Sequence, residues 1–175
     1  MQHILVSIIG SKDVKFTGEF SRLCVKYTCD VQEMYMSHMA QDSVMVTKVS
    51  GSWSDLAKLE EVLIQFAKMH ELKIVVKRTQ AANHETQYMP YTISMTALYA
   101  NNLLSEVLSF FDEQSVVVRH VSTEQYCNKR SNSNMFALTL SLLVPVGTTF
   151  THFRDGLLVM CDELGLDVMF EPVRD

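Results

Sequence analysis

The 175-residue sequence predicts an α+β fold of two tandem βαββαβ units, ferredoxin-like, each an antiparallel sheet with its helices on one face. An order of apolar patterns (strand, helix, strand, strand, helix, strand) runs through the first half and again through the second. Between the passes, residues 81–87 form a polar linker that separates a first domain over 1–80 from a second over 88–175. Duplication explains the repeat better than chance, because each pass carries its own core-forming helices.

The first strand is the apolar run His3-Ile4-Leu5-Val6-Ser7-Ile8-Ile9. Phe16, Phe20, Leu23, Cys24 and Tyr27 then recur at helical spacing and give one apolar stripe. Val31 to Met39 and Ser43 to Val49 read as two strands joined by a short hairpin at Gln41-Asp42. Ser50-Gly51-Ser52 stops the second of them. Ser52, with Asp55 three residues on, is placed to cap a helix whose buried face is Leu56, Leu59, Val62, Leu63 and Phe66. The β-branched run Leu72 to Val76 closes the first unit.

The stretch Gln80 to Met89 lacks a pattern, and Pro90 follows. The second unit then reads as a strand over Thr92 to Ala97 and a helix carrying Leu103, Leu104, Val107, Leu108 and Phe111. Strands over Val116–Ser122 and Met135–Val144 come next, with a long connection through Thr123 to Asn134 where the first unit has a tight turn. Phe150, Phe153, Leu157, Leu158, Cys161 and Leu164 mark the last helix, which Gly165 can end in the left-handed conformation. Val168 to Phe170 form the final strand.

A net charge of −5 opposes grip on nucleic acid, since neutralising phosphates needs a basic face; Lys77-Arg78 and Lys129-Arg130 read as solvated surface. No direct DNA binding is expected. The chain shows no leader or membrane span, so a cytoplasmic location is expected. Cys24, Cys29, Cys127 and Cys161 form no CxxC pair, and the six histidines complete no zinc site with them, so no metal and no cofactor are expected. Four methionines, Met34, Met36, Met39 and Met45, crowd the first hairpin; they read as core filling or as a thioether surface on the open sheet face.

The topology hosts enzymes, RNA binders and sensors alike, so function rests on sites. An RNA-recognition module needs stacking aromatics on its third strand, and Val44 to Thr47 and Ala137 to Leu140 supply none. Phosphate chemistry on this topology needs an arginine in the first strand–helix loop, where only Lys12 stands as a weak substitute. A thiol enzyme needs a cysteine beside a base, and Cys29 or Cys127 with a distant histidine is a pairing any chain of this size offers, so no catalytic residue is assigned.

Several short motifs, in order and spacing, resemble the glycine cleavage system transcriptional repressor family, whose members carry two ACT domains in tandem. They are Ser50-Gly51-Ser52-Trp53 opening the second helix, Lys77-Arg78-Thr79 ending the first repeat, Phe111-Asp112 ending the third helix, and Cys161-Asp162-Glu163-Leu164 in the last. The resemblance implies an amino-acid-responsive regulator that represses by contact with a transcriptional activator protein, with glycine as modulator; a homo-oligomer is expected, since each sheet leaves one face for a neighbouring domain or chain. The alternatives from other classes are a ferredoxin-like enzyme and a structural dimerisation module without ligand.

ACT domains usually hold their amino acid at a Gly-x-Asp-x-x-Pro-Gly-like turn between the first strand and first helix. Here Gly10 remains, while Lys12, Val14 and Lys15 occupy the places of the acid, the proline and the second glycine. The candidate ligand residues are Gly10, Ser11, Lys12, Asp13 and Val14, and in the second repeat Tyr99, Ala100, Asn101 and Asn102. Gly10 would allow close backbone approach, Asp13 would pair with a ligand ammonium, and the asparagines offer both donors and acceptors.

Overall fold

A computed structural model of the chain describes residues 1–80, 87–114, 116–148 and 150–172. It divides into two compact units, Met1–Asn83 and His84–Asp175. The first contains β1 (Gln2–Ser11), α1 (Thr17–Lys26), β2 (Asp30–Met39), β3 (Asp42–Gly51), α2 (Trp53–Met69) and β4 (Lys73–Thr79). The second repeats the order with β5 (Tyr88–Leu98), α3 (Leu103–Glu113), β6 (Val117–Asn128), β7 (Ser133–Pro145), α4 (Phe150–Leu164) and β8 (Asp167–Pro172). The sheets are ordered β2-β3-β1-β4 and β6-β7-β5-β8, and every pairing is antiparallel. The two units are therefore tandem ferredoxin-like folds, as the repeated pattern predicts.

Alternation fixes which face each sheet buries, because successive strand side chains point to opposite sides. Ile4, Val6 and Ile8 of β1 and Met45 and Val49 of β3 pack against Phe20 and Cys24 of α1 and Leu56, Leu59, Leu63 and Phe66 of α2. In the second unit Ile93, Met95, Leu138, Leu140 and Leu142 meet Val107 and Phe111 of α3 and Phe153, Leu157 and Cys161 of α4. Each of these cores is drawn from one unit. The helix-free faces differ: the first mixes aliphatic and polar pairs, Ile9 with Val44, Ser7 with Val46 and Leu5 with Lys48, whereas Ser94 and Thr139, with Thr92 and Ser141, make the second rich in hydroxyls. The duplication reaches into detail, since the edge strands β2 and β6 each carry a register shift, at Val31/Glu33 and at Val118/His120.

Helix boundaries follow local chemistry. The Ser52 side chain accepts the Asp55 amide at 3.1 Å and caps α2, while the Asp55 carboxylate accepts from the Ser52 hydroxyl rather than from its amide. Three helices end alike, with an amide reaching back five residues: Cys29 to Cys24 O, Leu72 to Ala67 O, and Leu166 to Cys161 O. The residue before each such amide is left-handed. Gly165 takes that conformation after α4 (φ 65°), but Thr28 and Glu71 do so after α1 and α2 (φ 54° each).

Two expectations need correction. The connection over Thr123 to Asn134 is mostly strand, because β6 runs to Asn128 and β7 starts at Ser133, leaving a four-residue turn over 129–132 with Asn132 left-handed (φ 51°). The exposed β6 side chains from Val121 to Cys127 need no apolar alternation, so the pattern gave no strand signal there. Pro90 lies within β5, which begins at Tyr88 rather than Thr92, and among the described residues it pairs with Leu143 of β7. The expected linker over 81–87 falls, apart from Gln87, outside the described residues.

The methionines also divide differently. Met45 is core, fully buried. Met34 and Met36 pair with Thr47 and Met45, which puts them on the helix-bearing face at the uncovered edge of β2; Met39, paired with Asp42, is on the other. The open face is therefore not a continuous thioether surface.

Candidate ligand site

In the first unit the residues singled out from sequence separate into a strand end and a turn. Gly10 and Ser11 belong to β1, and α1 does not begin until Thr17, so the helix start lies beyond Val14. Gly10 is buried, and a Cβ built on it would stand 2.2 Å from Leu72 Cδ2 and 3.9 Å from Phe16. Its missing side chain makes room for Leu72 rather than for a ligand. Ser11 organises the turn: its carbonyl accepts the Val14 amide at 3.0 Å, and its hydroxyl lies 3.4 Å from the Asp13 amide. The Lys12 amide donates to Gln41 O at 3.0 Å, which ties this turn to the β2–β3 turn.

Phe16 is the α1 N-cap residue and offers no side-chain acceptor. The amides of Thr17, Gly18 and Glu19 thus have no carbonyl partner inside the helix and form its partly positive end. Beside them is a cleft of about 560 Å3. Three cations line it, Lys12, Lys15 and Arg22, with one carboxylate, Glu19; Val14, Thr17, Gly18, Met36 and His38 complete the wall. His38 Nδ1 stands 2.7 Å from Ser43 Oγ, which holds the imidazole at the β2 edge. The Glu19 carboxylate lies 3.1 Å from His70 Nε2.

The turn of the second unit is more open. Residues 99–102 are all exposed. The Tyr99 amide donates to Asn134 O at 2.9 Å, and its hydroxyl donates to Asn101 Oδ1 at 2.7 Å, which occupies that acceptor. Ala100 O accepts the Leu103 amide at 3.4 Å. Asn102 is the N-cap residue of α3 without a side-chain capping bond, and its carbonyl takes the Ser105 hydroxyl at 2.8 Å. Its turn abuts a helix start, as expected, but brings no cation to it.

Of the first-turn candidates, Lys12 and Val14 face the cleft, Ser11 shapes the turn beneath it, and Gly10 and Asp13 are not among its lining residues. Sequence reading passed over Arg22, Glu19 and His38. The spacing of Glu19 and Arg22 on the first turns of α1, with Lys15 just before its N-cap, was a readable signal; the approach of His38 from β2 was not, because it depends on sheet order. Among the described residues no group of three or more His, Cys, Asp or Glu could hold a metal ion, and no helix is long and apolar enough to cross a membrane.

Residues 2–77 match the ACT domain family model. None of the curated proteins compared with the chain matches it. Among solved structures, that of a candidate glycine cleavage system transcriptional repressor superposes with a TM-score of 0.76 at 18% identity, covering 99% of this chain and 98% of that one. A protein of unknown function from Galdieria sulphuraria superposes with a TM-score of 0.76 at 17% identity, covering 99% of each chain. At these identities the likeness is one of fold, and it extends over both units.

Proposed function

With an ACT domain in its first half and a second unit of the same fold behind it, we propose that the chain is an amino-acid-responsive regulator rather than an enzyme. The observation that carries this reading is the cleft at the start of α1, where three cations and unpartnered amides face one carboxylate. A zwitterion fits that charge pattern. Lys12, Lys15 or Arg22 and the Thr17 and Gly18 amides take the carboxylate, and Glu19 takes the ammonium. Asp13, just outside the lining, is the alternative partner for the ammonium. In the second unit Asn101 retains its amide donors for the same purpose.

The full-length likeness to a candidate glycine cleavage repressor makes transcriptional repression the output to test, and the motif resemblance adds glycine as the first ligand to try and contact with a transcriptional activator as the route. The net charge of −5 agrees with a regulator that works in the cytoplasm through a protein partner and does not grip DNA itself. Self-association of the chain belongs to the same proposal.

Thermal unfolding of the full chain against the twenty amino acids tests the reading, because a ligand that binds only the native state raises its stability. Glycine or another single amino acid should raise the melting temperature, and Arg22→Ala and Glu19→Gln should each weaken that ligand in calorimetry. No stabilisation by any amino acid, or affinity unchanged in both variants and in Asp13→Ala, would remove the site from this cleft.

A further inference from the structure

We infer that the groove between α3 and α4 docks a basic amphipathic helix of another protein. Its walls are apolar: Phe110 comes from α3, and Val159, Met160 and Leu164 come from α4, around a volume of about 330 Å3. Ser109 and Gly156 leave the floor low. The Phe110 ring lies over Gly156, 3.7 Å from where a Cβ would be, and Val159 is 58% exposed. A groove between two helices accepts side chains repeating at i, i+3 and i+4 from a third.

Charge selects the occupant. Glu106, Glu113 and Glu163 edge the groove, and neither lysine nor arginine is among its lining residues. The two helices carry Glu106, Asp112, Glu113, Asp155, Asp162 and Glu163 against Arg154 alone. The first unit repeats the lining but not the helix charge: Leu23, Val62, Phe66 and Met69 line a groove of about 450 Å3 between α1 and α2, with Glu19, which also pairs with His70, and Glu61 as its charges, on helices that carry four acidic and four basic residues. Apolar walls with carboxylates and no cation therefore recur at equivalent places in both halves. Such a surface complements leucine-like side chains flanked by lysine or arginine and repels acidic segments.

A second copy of this chain is a poor occupant. Residues 84–175 hold eleven Asp and Glu against five Lys and Arg, so that half opposes its own copy. The first half is close to neutral, with ten Lys and Arg against nine Asp and Glu over residues 1–83, and its helices balance Glu19, Asp55, Glu60 and Glu61 against Arg22, Lys26, Lys58 and Lys68, so neither half presents a net basic helix pair to the groove.

The inference rests on the regulatory reading and supplies the protein contact it calls for, through side chains other than those of the α1 cleft and the second-unit turn, and the two can fail separately. The probe is a short fluorescein-labelled helical peptide of leucine and lysine at amphipathic spacing, titrated into the full chain by anisotropy; its lysine-to-glutamate counterpart is the control. The lysine peptide should bind at least about tenfold more tightly than the glutamate peptide. Glu106→Gln/Glu113→Gln/Glu163→Gln should weaken it about tenfold, whereas Glu124→Gln/Asp167→Asn/Glu171→Gln, the same charge change on β6 and β8, should weaken it less than about threefold. Val159→Asp, at an exposed position, should abolish binding and covers the case in which the triple variant fails to fold.

Equal losses in the two triple variants, equal binding of the two peptides, or full binding to Val159→Asp would overturn the inference. So would loss of self-association in Val159→Asp by light scattering without any peptide binding, which would assign the groove to a second copy. Amino-acid stabilisation measured on the same proteins separates the outcomes. A chain that senses an amino acid but ignores the peptide loses only this surface, and one that binds the peptide but no amino acid loses only the sensor.

Discussion

Gly10→Ala distinguishes a packing glycine from a ligand-contacting one. In an open strand the substitution would raise stability by about 0.5–1 kcal/mol, since alanine loses less conformational freedom on folding. Here the new Cβ would stand 2.2 Å from Leu72 Cδ2, well inside any tolerated contact, so the Leu72 side chain, only 7% exposed, must leave its packed position toward the groove it lines with α2 and β4. Overpacking of this kind costs about 1–3 kcal/mol, which outweighs the backbone gain, so the variant should be destabilised by roughly 1–2 kcal/mol net. Leu72→Ala alone should cost about 2–3 kcal/mol for its lost burial. In the double variant the added methyl occupies part of the space vacated, so the combined loss should fall short of the sum by about 1 kcal/mol or more. Urea unfolding followed by tryptophan fluorescence reads this in the correct half, because the single tryptophan, Trp53, begins α2 of the first unit. A Gly10→Ala protein as stable as the parent, or strictly additive with Leu72→Ala, would refute the packing assignment.

Three further outcomes follow from the structure. Ser52→Ala removes the side-chain acceptor of the Asp55 amide and should lower stability by about 1 kcal/mol in the same unfolding assay. Burial, then the neighbouring Cys29 thiol, pushes the Cys24 thiol up to about 12, and burial, then Asp162, pushes Cys161 up to about 11, from an ordinary 9.0. Both folded pKa values are raised, so the protonated native state keeps its advantage below pH 9 and loses it as pH climbs through 11 to 12. Stability should therefore fall on the alkaline side of 9, and a thiol reagent near neutral pH should modify exposed Cys127 quickly and the buried Cys24 and Cys161 only on unfolding.

The repeated element order was legible because each core strand and helix has one buried face, and burial leaves a period in the sequence: Ile4, Val6 and Ile8 alternate, and Leu56, Leu59, Leu63 and Phe66 follow helical spacing. Ser52 and Gly165 were legible because capping and left-handed turns select residue types locally. The far half of β6 was not, since its side chains are exposed on both faces and its existence depends on pairing with β7. Gly10 drew attention for its lack of a side chain, but the reason is Leu72, sixty-two residues on, which no local pattern reveals. The cleft was half-visible: Lys12 and Val14 lie in the turn that was singled out, while Arg22 and His38 reach it through the helix register and the β2–β3–β1 order.

The helix ends of the first unit have a consequence for its capacity to change. A side chain held left-handed costs on the order of 1 kcal/mol, and β-branched Thr28 is among the least suited to it, yet Thr28 and Glu71 both take φ 54° where the second unit uses Gly165. What holds them is the residue that follows: Cys29 and Leu72 are 6% and 7% exposed, so core packing draws the chain around a bend that the local residue resists. The first unit thus carries a reserve that evolution or an engineer can release with a single codon, because Thr28→Gly or Glu71→Gly relieves the bend without touching the core. Either change would offset a costly substitution elsewhere in the domain, and the α1 cleft could be reshaped for a different ligand while the fold stays above its threshold.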